Sequence, residues 1–142
     1  MLRFSFSLQK LLALREFREK EAEIELGKAN AKRDEIQFAL EEVARKRFAS
    51  AFERQGKLPI QDMLAIEHFI IRLDIKKEQL LTDLAAAELI VEKKREKFLV
   101  AARERKVITK LKEKKEAIWH KDALADEAAI LDDIANYRDR NK

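Results

Sequence analysis

The chain has no cysteine, one proline and two glycines among its 142 residues. Without cysteine there is no disulfide framework and no thiolate metal site, which suits a reducing cytosol. With so few breakers, the chain has little material for tight turns or for many short elements. Long apolar runs are also missing. No stretch approaches the roughly 18 residues of a membrane span. The opening, Met1 to Leu8, reaches Lys10 and Arg15 too soon to hold a secretory apolar core. The expectation is a protein made and kept in the cytoplasm.

Catalytic equipment is equally scarce. His68 and His120 are the only histidines. Glu116 and His120 are spaced i, i+4 and could face one ion, but no second His or Cys joins them, and the His-Glu-x-x-His spacing is absent. There is no glycine-rich phosphate loop and no Ser, His and acid set on a plausible scaffold. Acid pairs such as Asp132-Asp133 read as solvated helix surface. The expectation is no catalytic residue, no metal and no cofactor, and a chain that is not an enzyme.

What the chain does have is charge and helix formers. Charged residues make up 41% and hydrophobic residues 46%, with a formal net charge of +4. Such a mixture is the composition of long helices and coiled coils, and the apolar share argues against disorder. One interruption organises it. Gly56 and Pro59 stand in Gln55-Gly56-Lys57-Leu58-Pro59. Gly suits the left-handed position after a helix end, and Pro suits the start of the next helix. Gly27 stands alone inside a periodic pattern and costs about 1 kcal/mol without breaking the helix.

Helix 1 reads from about 8 to 53, with alternating spacings of four and three through Leu8, Leu12, Arg15, Glu19, Ala22, Leu26, Ala29, Arg33, Ile36, Leu40, Val43 and Arg47. After a turn at 54–59, helix 2 reads from about 60 to 138. Its stripe runs through Met63, Ile66, Ile70, Leu73, Lys77, Leu80, Leu84, Ala87, Val91, Lys94 and Phe98. Such spacing keeps one face toward a partner helix. The phase slips after Arg105, as in a coiled-coil stutter. The predicted fold is all-α: a single long two-helix antiparallel coiled-coil hairpin over 1–142 with an overhanging C-terminal helix. A turn centred near Lys57 brings Glu19 level with Arg95, Arg47 with Glu67, and Leu8 with Lys106. Helix 2 then overshoots by roughly 35 residues, about 50 Å. That bare arm is expected to pair with another protein or a second copy.

Three features could carry function. Phe38, Phe48, Phe52 and Phe69, with Leu58, Ile60, Met63 and Ile66, form either a small cap closing the hairpin or a partner site, because two helices cannot bury eight such side chains. A basic stretch from Lys93 to Lys115 holds eleven Lys or Arg against three Glu. It reads as a solvated face or a docking surface for acidic loops; no nucleic-acid reading motif accompanies it. Trp119-His120 offers a packing anchor or an interface hot spot.

The opening Phe4-x-Phe6-x-Leu8-x-x-Leu11-Leu12-x-x-Arg15, followed by Glu21-Ala22, Leu26 and Ala29, resembles the start of the flagellar FliJ family. Phe69-Ile70-x-x-Leu73 is similar to that family's segment beginning helix 2. The same holds for Glu92-x-x-Arg95, Ala102-x-x-Arg105-Lys106, Leu111, Glu127 and Leu131-Asp132. Asp133 and Trp119 depart from the pattern. The resemblance implies a soluble component of the bacterial flagellar type III export apparatus, similar to the central stalk of rotary ATPases. It implies insertion in the export ATPase ring, contact with the export gate at the membrane, and a link to export chaperones. It further implies a place at the cytoplasmic face of the membrane, held there peripherally through partners. On this basis the terminal end, with Leu8, Leu12, Lys106, Lys110, Leu111 and Trp119, is expected to dock in the ATPase ring. Gln37, Phe48, Phe69 and Leu73 match the family's gate-contact region, and Phe52 joins them as an apolar neighbour at the turn. The alternatives are the stalk of a virulence secretion system, a rotary ATPase stalk subunit, and a nucleic-acid-associated coiled coil.

Overall fold

The computed structural model describes residues 3–141. The fold is all-α, with two long helices packed against each other as a hairpin: α1, Gln9–Arg54, and α2, Ile60–Arg140. α1 begins where the carbonyl of Leu8 accepts its first bond, from the Leu12 amide at 2.9 Å. It ends in a tightened turn, with the Gln55 and Gly56 amides donating to the carbonyls of Phe52 and Glu53 at 3.2 and 3.1 Å. These i to i−3 bonds close α1 without a left-handed residue. The glycine therefore does not take the positive φ that its position suggests, since no described residue does. The carbonyl of Pro59 accepts from Asp62 and Met63, so the missing amide of the proline costs no bond at the start of α2. Asp62 in the first turn of α2, and Arg138 and Arg140 in its last, complement the helix dipole.

The chain divides into two compact units. One comprises the chain ends, up to Lys20 and from Val100. The other is Glu21–Leu99. In the second unit the two helices run antiparallel and bury Ala29 and Val43 of α1 with Ile70, Leu73, Ala87 and Val91 of α2. All six lie on the predicted stripes. Ser50, one heptad after Val43, is buried too. Ion pairs across the pair fix the register: Arg54 with Glu67 at 2.7 Å, Arg47 with Asp74 at 2.7 Å, and Lys94 with Glu25 at 3.7 Å.

This register differs from the one expected from a turn centred on Lys57. Arg47 meets Asp74, one heptad beyond Glu67. The last residue of α1, Arg54, meets Glu67 and not the first residue of α2. The connection 55–59 and the first two turns of α2 therefore run past the end of α1, which leaves Ile60 76% and Leu64 54% exposed. In the terminal unit, Glu19 meets Arg105 instead of Arg95, and Arg15 pairs with Glu104. Arg95 bonds Glu92 on its own helix at 3.1 Å.

The same shift shortens the bare arm. Leu12 is buried, and so is Phe6, in the segment that precedes α1. Phe4 reaches Trp119, with ring centroids 6.0 Å apart and planes at 56°. Cover therefore extends past Lys106 to Trp119. The remaining stretch of α2, about 20 residues or 30 Å of helix, carries Leu124, Ile130, Leu131, Ile134 and Tyr137, all exposed.

The Arg47–Asp74 pair has a titration signature. The hydrogen bond from Arg47 holds the Asp74 carboxyl below the usual carboxylate range; partial desolvation opposes this, and the charges of Arg47 and Lys77 add to it. A carboxyl depressed in the folded state stabilises the fold above its ordinary value and loses that contribution as pH falls through the depressed one. The Asp74 midpoint, followed by carboxyl NMR, should lie below the ordinary value of about 3.9 and rise in Arg47→Ala. An unchanged midpoint would contradict the pairing.

Gly27 offers a second check. A methyl at this mid-helix position would meet no atom within 4 Å. Gly27→Ala should stabilise the protein by about 0.5–1 kcal/mol, read as a raised thermal midpoint.

Candidate partner-binding surfaces

The residues expected at the turn surface lie in Glu21–Leu99 and are presented unevenly. Phe48 and Phe52, 77% and 70% exposed, project from the last turns of α1. Gln37 is exposed and Phe69 half-buried, with the Arg72 guanidinium 5.9 Å from its ring centroid. Leu73 is buried in the seam at 6% exposure, so it supports the surface from below. Of the eight apolar side chains around the turn, Phe38, Phe48, Phe52, Ile60 and Met63 are exposed, and Leu58, Ile66 and Phe69 are half-buried. No closed cap forms. Each of the first two turns of α2 has water on several sides, because α1 has already ended. Farther along this unit, Ala39, Ala86 and Ala87 contribute to an open groove of about 460 Å³, where small side chains leave the helix pair thinly filled.

The residues expected at the terminal surface divide the same way. Leu12 is buried and Leu8 and Leu111 are half-buried, all serving the helix pair. Lys106 and Lys110 are exposed. Trp119 is half-buried between the Phe4 ring and that of His120, whose centroid is 5.2 Å away at 71°. The aromatic neighbour therefore comes from the N-terminal segment. Phe4 and Phe6 were legible as a motif in the sequence, but their role in closing over α2 was not. Arg105 is held even further above its ordinary range by the hydrogen bond to Glu19, so it is a permanent cation at the edge of the seam.

Among the described residues, no group of three or more His, Cys, Asp or Glu is placed to hold a metal ion. No described helix is long and apolar enough to cross a membrane. The described residues present exposed phenylalanines beside the turn, and in α2 a basic stretch before Trp119 followed by an acidic one after it.

The family described as flagellar FliJ protein matches residues 4–142. The chain belongs to the FliJ family. No curated protein and no solved structure matches the chain. Membership makes it a component of the flagellar export apparatus, and the FliJ family is a structural, non-catalytic part of that machinery.

The different burial of Leu73 and Phe48 separates two effects. Leu73→Ala should cost about 2 kcal/mol or more by leaving a cavity in the seam. Phe48→Ala with Phe52→Ala should change stability by less than about 1 kcal/mol, because both rings already face water. Urea denaturation monitored by circular dichroism checks both. A larger loss from the phenylalanine pair would mean that these rings belong to the core.

Proposed function

We propose that this FliJ-family chain is a stalk-like component that inserts its terminal unit in the export ATPase ring and contacts the export gate through the phenylalanines near its turn. On this reading it also engages export chaperones and works at the cytoplasmic face of the membrane, held there by its partners. The observation that carries the reading is the state of α2 beyond Trp119. A single helix with five large apolar side chains exposed is narrow enough for a ring's bore and apolar enough to need a wall. The exposed Lys106 and Lys110 supply cations beside it. Phe48 and Phe52 supply the second surface, with aromatic anchors of the kind that dominate interface energies.

The test is direct binding of the full chain to the purified export ATPase and, separately, to the cytoplasmic part of the gate protein. Lys106→Glu with Lys110→Glu should weaken ATPase binding about tenfold or more, equivalent to ~1.4 kcal/mol. The same variant should leave helicity and gate binding unchanged. Phe48→Ala with Phe52→Ala should do the reverse. Loss of both affinities in either variant, or of neither, would overturn the two-surface assignment. Binding to arbitrary DNA with a steep salt slope would favour the nucleic-acid reading instead.

A further inference from the structure

The two flanks of the hairpin in Glu21–Leu99 differ in charge. With Leu26 of α1 and Ile70 of α2 at position a of their heptads, the buried apolar residues of this unit fall at a and d. Above that seam, the open groove is lined by Lys32, Glu35, Ala39, Asp83, Ala86 and Ile90, all at positions c and g. Those positions of both helices therefore share one flank, and positions b and e share the other. The unit as a whole carries 16 Asp or Glu and 15 Lys or Arg, close to balance. The b and e positions from Glu23 to Ala51 and from Leu64 to Leu99 hold eight of those acids and a single cation, Arg95.

Half of the eight are already held. Arg33, Arg54 and Arg47, at seam positions, meet Asp34, Glu67 and Asp74, and Arg95 meets Glu92. Glu23 has a partner as well. The carboxylates of Glu41 on α1 and of Glu78 and Glu88 on α2 have none among the described residues. Asn30, on the same flank, adds a buried side-chain oxygen with no donor. The flank thus has acceptors in excess and lacks donors. It is apolar too. Ile71 and Leu81 stand 52% and 41% exposed on it, and Ala44 and Ala85 are exposed beside the free carboxylates.

This combination selects its occupant. An anionic membrane or a nucleic acid is repelled by the charge. A small cation leaves the apolar strip in water, and no three acids among the described residues converge as metal ligands do. What matches both properties is a helix with an apolar stripe flanked by Lys or Arg, laid in the shallow channel between α1 and α2. We propose that the b and e flank of the hairpin docks a cationic amphipathic helix of a partner protein. Ile71 to Glu88 spans about 25 Å, so a partner helix of about five turns covers it. Its apolar stripe lies over Ala44, Ile71 and Leu81. Its cations reach Glu41 on one side and Glu78 and Glu88 on the other. The strip borders Phe48 but takes in neither phenylalanine assigned to the gate, and it uses no residue of the terminal unit.

The test uses the full chain and a fluorescent synthetic Leu/Lys amphipathic peptide of about 18 residues. Fluorescence anisotropy should show saturable binding of one peptide per chain. A Leu/Glu peptide of the same pattern should not bind. Glu41→Lys with Glu78→Lys should weaken binding about tenfold or more. Glu35→Lys with Asp83→Lys makes the same change in net charge on the opposite flank, again with one residue on each helix. That variant should stay within about threefold of the native chain. Leu81→Ser should weaken binding several-fold, and Phe48→Ala with Phe52→Ala should leave it unchanged. All these positions are exposed, so each variant should keep its circular dichroism spectrum. Equal losses in the two charge-reversed variants would reduce the effect to bulk attraction and overturn the proposal. So would loss of binding in the phenylalanine variant, or no saturable binding at all. Gate and ATPase affinities are read in separate titrations, so either assignment can fail while the other stands.

Discussion

Two helices lying side by side can bury one stripe each, and that limit governs the rest of this protein. Every residue placed outside the shared seam remains in water on at least one side. The buried positions are accordingly few and mostly modest in size, with Ala29, Val43, Ala87 and Val91 among them. Small side chains let the helices approach and interlock, but they supply little contact area to distinguish one register from the next. That task falls to Arg15, Glu19, Arg47 and Arg54 and to their partners Glu104, Arg105, Asp74 and Glu67. Each pair is partly solvated and individually weak, yet a slip by one heptad would break them together.

The same limit leaves large apolar side chains in water. A thicker domain would fold its phenylalanines inward. Here Phe48 and Phe52 have no second layer to enter, and Leu124, Leu131 and Tyr137 have no opposing helix. Exposed apolar surface on this scale is costly to leave in water, and in proteins generally such patches are the places where other chains sit. A structural part of an export machine needs such places more than it needs a pocket.

The candidate surfaces were only partly legible beforehand. Resemblance and apolar content pointed to Phe48, Phe52, Phe69 and Leu73 together, but periodicity alone could not say which of them face water. Leu73 continues the seam and Phe48 does not, a distinction that depends on where α1 lies. Ser50 is buried although polar, because its heptad phase places it opposite α2 near the end of α1. Phe4 was part of a motif, but its contact with Trp119 joins residues more than a hundred positions apart, and no local pattern reports such a meeting.

Sequence by itself determined that the chain is two long helices broken once near Gly56 and Pro59, and which stripe of each turns inward. Both follow from local chemistry: helix formers everywhere, breakers in one place, and apolar residues at spacings of three and four. Only the tertiary structure decided how far the second helix runs past the end of the first before they pair, and how much of α2 the N-terminal segment covers. A heptad stripe looks the same after a shift of seven residues. The choice among such shifts is made where side chains from distant parts of the chain meet, at Arg54 with Glu67 and at Phe4 with Trp119.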